Sequence, residues 1–529
     1  MTSQFAYRVD LHSRISGGVE EIHSFATVAY STSPAADPPS TFYDGRVTQP
    51  AMFMRSMFGA ADTLFGGLTI GYGFCRLLNS DGGLDYLFNY AFDGSPYRLW
   101  RVDLTDPDNP ELIFEGMLEQ PTWDEESIVF SIRDQNYKLD IPLHTQHYAG
   151  TNALPAGVEG TPDDIQGAPK PILVGGVYNF EPVCVNTSKL IYQFDSWYTD
   201  ATDVIIVFDK RVPLTQGTDY TSQADMEANA PSAGTVRLWM GGGMFRLGSQ
   251  PVGQVTCTGT VMPPGGASYL EQVVQALLAF GYSGNFEAQM ATTITTGIYS
   301  REETTVLGAI NEVLEGTDAF LVYGPSPTGA YAGNGYFLSQ LTDPTSLPYT
   351  PLADTLDLNP SNIVAGTLQR ILQRDLTSGI PVSKVNLQCG RNYTVMSPTD
   401  IAGASAADVV YYGLEYRTKT ASDGTVKTDW PQAPEINLRS NMHDAWGDSV
   451  AAMYLSLVKY RRDMYSLEIP VSVYHDVPAI SGADRYTLLI GSRVSITFPR
   501  FGLDSGKLFL VISILENYDK ETVTLTVWG

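Results

Sequence analysis

The closest pair of histidines in this 529-residue sequence is His144 and His147. Imidazole nitrogens bind zinc, but a zinc site in a protein needs three or four ligands. No cysteine and no acidic residue lies beside this pair at the spacing of a zinc motif. We therefore interpret both histidines as polar residues of a loop that follows a strand, and we predict no metal site.

Gly447-Asp448-Ser449 resembles part of a nucleophilic serine motif. A nucleophile elbow needs the pattern G-x-S-x-G on a strand-to-helix turn, and this pattern is absent here. Asp448 and Ser449 instead suit the first turn of a helix, where a negative charge faces the positive end of the helix dipole. The chain has six histidines, none recognisably placed as a general base, so we predict no catalytic residue and no enzyme.

Two further patterns could be interpreted as ligand or substrate sites. Gly241-Gly242-Gly243 could cradle a phosphate, but neither GxxxxGK[ST] nor GxGxxG accompanies it, so we predict a hairpin turn and no cofactor. The pairs Glu125-Glu126 and Glu302-Glu303 resemble glycosidase carboxylates. Among 58 acidic residues such neighbours arise by chance, and Glu302-Glu303 also suits the start of a helix.

The charge of the chain is strongly negative. Its 58 acidic and 32 basic residues give a formal net charge of −26. Gripping nucleic acid through phosphates requires clustered basic residues, and no basic run is longer than two residues, as in Arg461-Arg462. The balance argues against DNA binding. It suits solubility in general, and it also suits a surface that DNA passes without adhering.

The four cysteines, at positions 75, 184, 257 and 389, are far apart. This spacing predicts buried free thiols and a reducing compartment. The first residues do not resemble a signal peptide. The stretch Ser56 to Cys75 contains Asp62 and five glycines, so it is not a membrane span. We expect synthesis in a cytoplasm and no membrane anchor.

The pattern of apolar residues divides the chain into four blocks. Residues 1–165 and 166–262 are strand-like. Residues 263–375, which begin at a Pro-Pro-Gly-Gly run, alternate between helix and strand. Residues 376–529 return to strands around one helix. The fold class predicted is mainly β with an α/β insert.

Three helices are predicted from apolar residues at a spacing of three and four. Ser268 with Glu271 indicates a capping box at the start of the first helix, which Gly281 ends. The second helix covers residues 304–314 and stops at Gly316. The third lies near residues 444–462. The predicted buried positions are Leu270, Val273, Val274, Leu277, Leu278, Val306, Ile310, Val313, Leu314, Val450, Met453, Tyr454, Leu457 and Val458.

The last thirty-seven residues predict a β-meander that runs to the C-terminus. Apolar residues alternate with polar ones over 494–499, an apolar run covers 508–515, and Val523, Leu525 and Val527 alternate with threonines. Turn residues separate the three segments. We expect Trp528 and the terminus itself to be part of the folded sheet.

Two segments nearer the N-terminus are candidates for contact with partners. The proline-rich stretch Ser31 to Thr41 is typical of a binding or lumen-facing loop between strands. The aromatic and glycine-rich stretch Met52 to Phe74 fits a partner-binding surface. It fits equally well an ordinary barrel strand with bulges at its glycines.

Several segments together resemble one family. Phe498 to Asp504, Gly506 to Phe509 and the closing Thr524 to Gly529 resemble the C-termini of tail hub proteins of long-tailed bacteriophages and gene transfer agents. Matching segments follow the family's order along the chain. The N-terminal barrel is represented by Asp81 to Asp85 and Asn89 to Gly94, the second domain by Gly167 to Pro171 and Gly175, and a late strand-turn by Cys389 to Thr394.

The resemblance implies an architecture and a set of partners. In this family three copies form a ring at the distal end of the tail tube, and two barrel domains in each chain make a pseudo-sixfold face. We therefore expect hub-type barrels in residues 1–165 and 376–529, with smaller domains at 166–262 and 263–375. The implied function is a structural virion protein at the tail tip or baseplate, a homotrimer that joins a hexameric tube to a threefold tip.

The implied neighbours are the distal tail protein or tail tube, the tape measure protein, and a tail tip or central fibre protein. DNA would pass through the channel of the ring without specific binding. An alternative from another class stays open. β-rich domains, many tyrosines and tryptophans and an acidic surface also suit a carbohydrate-active or carbohydrate-binding protein.

Overall fold

The computed structural model describes residues 5–15, 18–59, 67–197, 204–263, 266–291, 293–331, 333–346, 355–371, 379–401, 405–478 and 485–529. Across these residues the protein is mainly β, with several sheets and a small α/β unit. The predicted fold class is confirmed. Its division into two barrel domains and two smaller domains stays a prediction.

The N-terminal part of the chain is built from strands and two short 3₁₀ helices. The strands are β1 (Phe5–Arg14), β2 (Glu20–Ala26), β3 (Tyr30–Ser31), β4 (Phe42–Tyr43), β5 (Val47–Ser56), β6 (Tyr72–Leu78), β7 (Pro96–Asp103), β8 (Glu111–Leu118), β9 (Thr122–Trp123) and β10 (Ser127–Arg133). The 3₁₀ helices cover Asp85–Asn89 and Gln135–Leu139. In β1, Tyr7, Val9 and Leu11 are buried in the main core, as the alternation of a strand requires.

The second part is also β-rich. Its elements are β11 (Ile172–Phe180), β12 (Val183–Asn186), β13 (Ile191–Gln193), β14 (Val204–Asp209), β15 (Val212–Pro213), β16 (Thr215–Gln216), α1 (Gln223–Ala228), β17 (Thr235–Trp239), β18 (Met244–Leu247) and β19 (Val255–Val261). They form two sheets, ordered β12-β13-β18-β17-β16 and β15-β14-β19-β11, and a later strand completes the second.

The α/β unit contains two of the three predicted helices. Its elements are α2 (Leu270–Leu278), β20 (Asn285–Gln289), β21 (Gly297–Ser300), α3 (Val306–Leu314), β22 (Ala319–Pro325) and β23 (Asn334–Gln340). The sheet order is β20-β23-β22, whereas β21 pairs with β11. Every predicted apolar position of the first two helices is buried, because both helices pack on the main core.

The predicted capping box at Ser268 is wrong. Helix α2 begins at Leu270, and its N-cap residue is Tyr269, whose side chain makes no capping hydrogen bond. Ser268 instead accepts a hydrogen bond at its carbonyl from the Thr296 backbone N–H. The first backbone N–H of the helix, that of Leu270, donates to the Ile294 carbonyl at 2.8 Å, so a distant segment satisfies this donor. In α3 the cap is Thr305, whose side chain accepts from the Gly308 N–H at 3.1 Å.

The C-terminal part returns to strands around α6. Its elements are β24 (Leu356–Leu358), β25 (Gln369–Ile371), β26 (Lys384–Cys389), α4 (Ala406–Tyr412), β27 (Arg417–Ser422), α5 (Val426–Asp429), β28 (Glu435–Arg439), α6 (Gly447–Val458), β29 (Met464–Pro470), α7 (Val471–Tyr474), β30 (Val477–Pro478), β31 (Arg485–Tyr486), β32 (Arg493–Ile496), β33 (Lys507–Asn517) and β34 (Thr522–Trp528). The predicted meander corresponds to β32, β33 and β34, and Trp528 is fully buried.

The two ends of the chain share one large sheet. Its main path is β2-β1-β7-β8-β10-β6-β5-β33-β34-β29-β25, with β9 on β10, β32 on β33 and β24 on β32, fourteen strands among the described residues. Strand β5 pairs antiparallel with β33, from Met52 opposite Asn517 to Ser56 opposite Ser513. The N-terminal and C-terminal blocks are therefore held side by side by backbone hydrogen bonds.

In the described part of the chain, no helix is both long and apolar enough to cross a membrane.

Candidate assembly interface

The two histidines weighed as zinc ligands have separate roles. His144 is buried, and its two ring nitrogens lie 2.9 Å from the Lys170 carbonyl oxygen and 2.9 Å from the Ser300 hydroxyl. His147 is exposed and lies 2.6 Å from a carboxylate oxygen of Glu303. The described residues contain no group of three or more histidine, cysteine or acidic side chains able to hold a metal ion.

The serine candidate lies where the helix interpretation places it. Asp448 and Ser449 are in the first turn of α6. The Ser449 hydroxyl donates to the Trp446 carbonyl at 2.8 Å, and Asp448 forms an ion pair with Lys419 at 3.0 Å. The hydroxyl is therefore engaged with its own helix end and not with a histidine.

The glycine run and the acidic pairs occupy turns. Gly241 and Gly242 lie in a 3₁₀ turn between β17 and β18, and Gly243 has a φ of 58°. A Cβ on Gly243 would lie 2.0 Å from the Asp195 carbonyl oxygen, so a close backbone approach explains that glycine. Glu125-Glu126 is at the exposed tip of the β9–β10 hairpin, and Glu302-Glu303 lies in the segment before α3.

All four cysteines are free thiols. Cys75, Cys257 and Cys389 are buried, whereas Cys184 is half-buried, which departs from the prediction for that residue. Burial raises the pKa of Cys75 to about 12 and of Cys389 to about 11. Both groups therefore remain protonated and unreactive at neutral pH.

The stretch Met52 to Phe74 borders a cleft, and its residues 60–66 lie outside the described part of the chain. Of the glycines in this stretch, Gly73 lies in a paired strand, and the bulge expected at the glycines is absent there. The register shifts of β5 against β6 fall between Val47 and Met52, while Gly73 pairs regularly with Phe53. A Cβ on Gly73 would lie 2.4 Å from the Met52 carbonyl oxygen. The glycine thus permits a close approach of two strands and does not mark a bulge.

The cleft has a volume of about 770 Å³ and separates β5, β6 and β8 from the β22–β23 hairpin. Its walls are mostly apolar, and its polar groups include Arg55, Asp134 and Asn136. The two carboxylate oxygens of Asp134 accept hydrogen bonds from the Asn136 backbone and side-chain amides at 3.0 and 2.9 Å. Burial raises the pKa of Asp134 to about 7. No residue pattern around Asp134 in the sequence indicates this environment.

A buried ionic cluster lies where β5 meets β33. Arg55 forms an ion pair with Glu516, which is 1% exposed. The hydroxyls of Tyr474 and Tyr518 donate to the two oxygens of Glu516 at 2.6 and 2.9 Å. Burial and the Glu516 charge raise the pKa of both tyrosines well above the usual range, so both stay donors. The cluster ties the two ends of the chain together.

A second junction surrounds His443. Its Nε2 lies 2.9 Å from the Gly176 carbonyl oxygen, and its Nδ1 lies 3.0 Å from the Thr295 hydroxyl. Burial lowers the pKa of His443, so the ring is neutral. Nearby, the buried Asn392 donates to the carbonyls of Tyr411 and Leu414 at 2.6 and 2.8 Å. The segments around Gly175 and Asn392 that resemble the tail hub family therefore lie at one structural junction.

The surface also carries exposed apolar side chains. In the N-terminal part, Phe88 is 74% exposed and Tyr86 is 45% exposed. The ring of Phe88 packs edge-on against Trp123, with centroids 6.0 Å apart. In the sheet that contains β14 and β15, the side chains of Val204, Ile206 and Val212 are exposed. Side chains of this kind are typical of surfaces that partners cover.

The proline-rich stretch Ser31 to Thr41 closes the short β3–β4 hairpin. The Thr32 backbone N–H donates to the Thr41 carbonyl at 3.0 Å, and the Ser33 N–H donates to the Asp108 carboxylate at 2.8 Å. Phe42, at the foot of this loop, is 64% exposed. Its assignment as a binding or lumen-facing loop stays a prediction.

Comparison with known proteins gives structural neighbours only. No family model matches the sequence, and no curated protein is significantly similar to it. The chain is similar to the tail protein from Neisseria meningitidis MC58, at 9% identity and a TM-score of 0.42 over 99% of this chain and 96% of that one. It is similar to the 43 kDa tail protein of prophage MuSo2 from Shewanella oneidensis, at 11% identity and a TM-score of 0.36 over 92% and 95%.

A third neighbour is a chain in the virion of a native gene transfer agent particle. The identity is 10% and the TM-score 0.35, with 69% of this chain and 85% of that chain covered. These neighbours are thus phage tail proteins and a component of a gene transfer agent virion.

Proposed function

We propose that this protein is a structural virion component, a tail or baseplate hub that assembles as a ring of three copies. The observation that carries the proposal is the pairing of β5 with β33. It holds the N-terminal and C-terminal regions, which both resemble hub segments, side by side in one sheet. A chain with two such regions can present two similar faces to a sixfold tube, and three chains supply six.

The proposed neighbours follow from that position. The ring would contact the distal tail protein or tail tube on one side and the tail tip or central fibre protein on the other. The tape measure protein and DNA would pass through its channel. The net charge of −26 and the scarcity of basic clusters support passage of DNA without specific binding, because like charges repel phosphate.

The mass of the purified protein in solution tests the ring. Sedimentation or mass photometry is expected to show a species of about three times the 57.7 kDa of one chain. Negative-stain images are expected to show a threefold ring with a central hole. A stable single copy at micromolar concentration would contradict the proposal.

Purified particles provide the second test and separate the hub from a carbohydrate-active protein. A hub is present in low copy number, in a multiple of three, and does not cleave bacterial wall or capsule. Quantitative mass spectrometry of particles gives the copy number, and a turbidity assay on cell walls gives the hydrolytic activity. Wall cleavage by the isolated chain, together with its absence from particles, would favour the carbohydrate interpretation.

A further inference from the structure

Four aromatic residues lie at one end of the N-terminal core, the exposed Tyr86 and Phe88 and the half-buried Tyr90 and Trp123, and are called here the aromatic surface. Three come from or adjoin the 3₁₀ helix Asp85–Asn89, and Trp123 comes from β9. Tyr90 and Trp123 pack against the main core, whereas Phe88 and Tyr86 project beyond it. Among the described residues, Phe88 is the aromatic side chain with the largest exposed fraction, and it has aromatic neighbours.

The aromatic surface has a fixed geometry. Phe88 meets Trp123 edge-on at 6.0 Å, and Tyr86 meets Tyr90 edge-on at 6.3 Å. The Tyr90 hydroxyl donates to Glu21 at 2.8 Å, and its ring packs edge-on against that of His23 at 4.6 Å. Rigid aromatic side chains held in this way lose little conformational entropy on binding, which is why they are frequent anchors at protein interfaces.

Carboxylates surround the aromatic surface. Asn79 joins the two segments that carry them, because its side chain donates to the Asp85 carboxylate at 2.8 Å and its backbone N–H donates to the backbone carbonyl of Glu126 at 2.7 Å. Asp124 and Glu125 follow Trp123 directly in the same turn. This rim is therefore acidic.

Basic side chains neutralise only part of the rim. Arg46 is paired with Asp44 at 2.8 Å and also contacts Asp81, so its charge is shared between two other carboxylates. Arg76, on β6, is the arginine that contributes to the lowered pKa of Asp124, whose main cause is hydrogen bonding. Phosphate groups of DNA or of anionic lipids would be repelled by the carboxylates that remain.

We propose that the aromatic surface docks a different tail protein, one that offers an apolar pocket for Phe88 with lysine or arginine at its edge. This inference rests on the proposed function and specifies one of its contacts. A second copy of the chain fits less well, because it carries the same excess of carboxylates. A saccharide also fits less well, because Phe88 has no polar group and the Tyr90 hydroxyl is already bonded to Glu21.

Site-specific photocrosslinking identifies the occupant. The probe is p-benzoylphenylalanine in place of Phe88, introduced in cells that produce the complete set of tail proteins. Tyr460 is the matched control position, since it is 60% exposed and lies in the C-terminal part of the chain. Irradiation is expected to join position 88 to a peptide of a different protein that contains lysine or arginine, and the Tyr460 position is expected not to capture that peptide.

The affinity of the chain for the purified partner that crosslinking identifies then tests whether Phe88 and the carboxylates of the rim make the contact. We expect Phe88→Ser to weaken binding at least tenfold and Tyr460→Ser to leave it unchanged. Glu125→Gln with Glu126→Gln should weaken binding by about threefold at low salt and have no effect at high salt. Because Phe88 is exposed, these variants are expected to melt like the wild type, which circular dichroism checks.

Three results would overturn the inference. They are a crosslink from position 88 to a sister copy, no crosslinked polypeptide at all, or binding of a cell-surface saccharide that Phe88→Ser abolishes. The proposed function is judged separately, by the presence of the chain in particles and by its threefold mass. A trimer found in particles without the crosslink would refute the docking site alone.

Discussion

At the scale of single residues, the buried cluster of Arg55 and Glu516 links the two ends of the chain. The two residues are 461 positions apart in sequence. Glu516 accepts hydrogen bonds from two tyrosine hydroxyls as well as from Arg55. A buried charge with all of its partners is tolerated, but removing one partner leaves the other charge uncompensated.

We therefore expect Glu516→Gln to lower the free energy of unfolding by about 3 kcal/mol, because Arg55 keeps its charge and loses its counterion. Urea unfolding followed by fluorescence measures this change. Glu20→Gln is the matched control, since the Arg14–Glu20 pair is exposed and is expected to contribute less than about 0.5 kcal/mol. Equal losses of unfolding free energy for the two substitutions would show that the buried cluster stabilises the fold no more than an exposed ion pair does.

Asp134 gives the fold a dependence on pH. Its pKa is about 7 in the folded chain, against an ordinary value near 4 in an unfolded one. Between about pH 4 and about pH 7, the Asp134 carboxyl is therefore protonated in the folded state and ionised in the unfolded state. This group stabilises the fold fully below about pH 4, and the contribution is lost as the pH rises through about 7.

Asp134→Asn should remove this dependence, because asparagine mimics the protonated carboxyl and does not titrate. From pH 5 to pH 8 we expect the wild type to lose about 2 kcal/mol of unfolding free energy relative to the variant. Urea unfolding of both proteins at pH 5, 6, 7 and 8 measures the difference. Parallel curves for the two proteins would show that Asp134 titrates normally.

At the scale of secondary structure elements, β11 crosses the junction that His443 holds together. Gly175 has a φ of 80°, and a Cβ there would lie 2.4 Å from the Thr296 carbonyl oxygen. Both the backbone conformation and the close approach to β21 thus require glycine. This accounts physically for one residue of the segment that resembles the tail hub family.

Gly175→Ala is expected to destabilise the protein by about 2 to 5 kcal/mol, through backbone strain and overlap with the neighbouring strand. Gly424→Ala is the matched control, because nothing lies within 4 Å of its added methyl group and its φ is not positive. We expect the control to change stability by less than about 0.5 kcal/mol. Thermal unfolding by calorimetry compares the two variants, and similar melting temperatures would contradict the role assigned to Gly175.

At the scale of the whole molecule, the net charge of −26 opposes the association of copies. Apolar contact between subunits would have to overcome this repulsion, which dissolved salt screens over about 10 Å at 0.1 M. The proposed trimer should therefore form more readily as the salt concentration rises.

We expect the trimer to tighten by on the order of tenfold between about 20 mM and about 200 mM sodium chloride, since screening weakens the repulsion between like-charged copies. Sedimentation velocity over a range of protein concentrations measures the association at each salt concentration. Weaker association at the higher concentration would indicate that paired opposite charges, not apolar surfaces, hold the copies together.

The local features of this protein follow from short stretches of its amino-acid sequence. The C-terminal meander, the apolar faces of α2 and α3 and the helix at Ser449 all follow from periodicity within a short window. Each prediction needed only neighbours along the chain. The capping box at Ser268 failed because contacts outside the local window accompany the start of the helix: the first helical N–H, that of Leu270, donates to the carbonyl of Ile294, which is distant in sequence.

The contacts between distant segments, in contrast, are visible only in the folded chain. The pairing of β5 with β33, the cluster around Glu516 and the cleft beside Asp134 each join residues far apart in sequence. Alternation along a strand shows which side chains face the core, but it does not specify the partner strand or the register of the pair. Those choices depend on packing over the whole sheet, so the junctions and the aromatic surface could not be predicted from residue patterns.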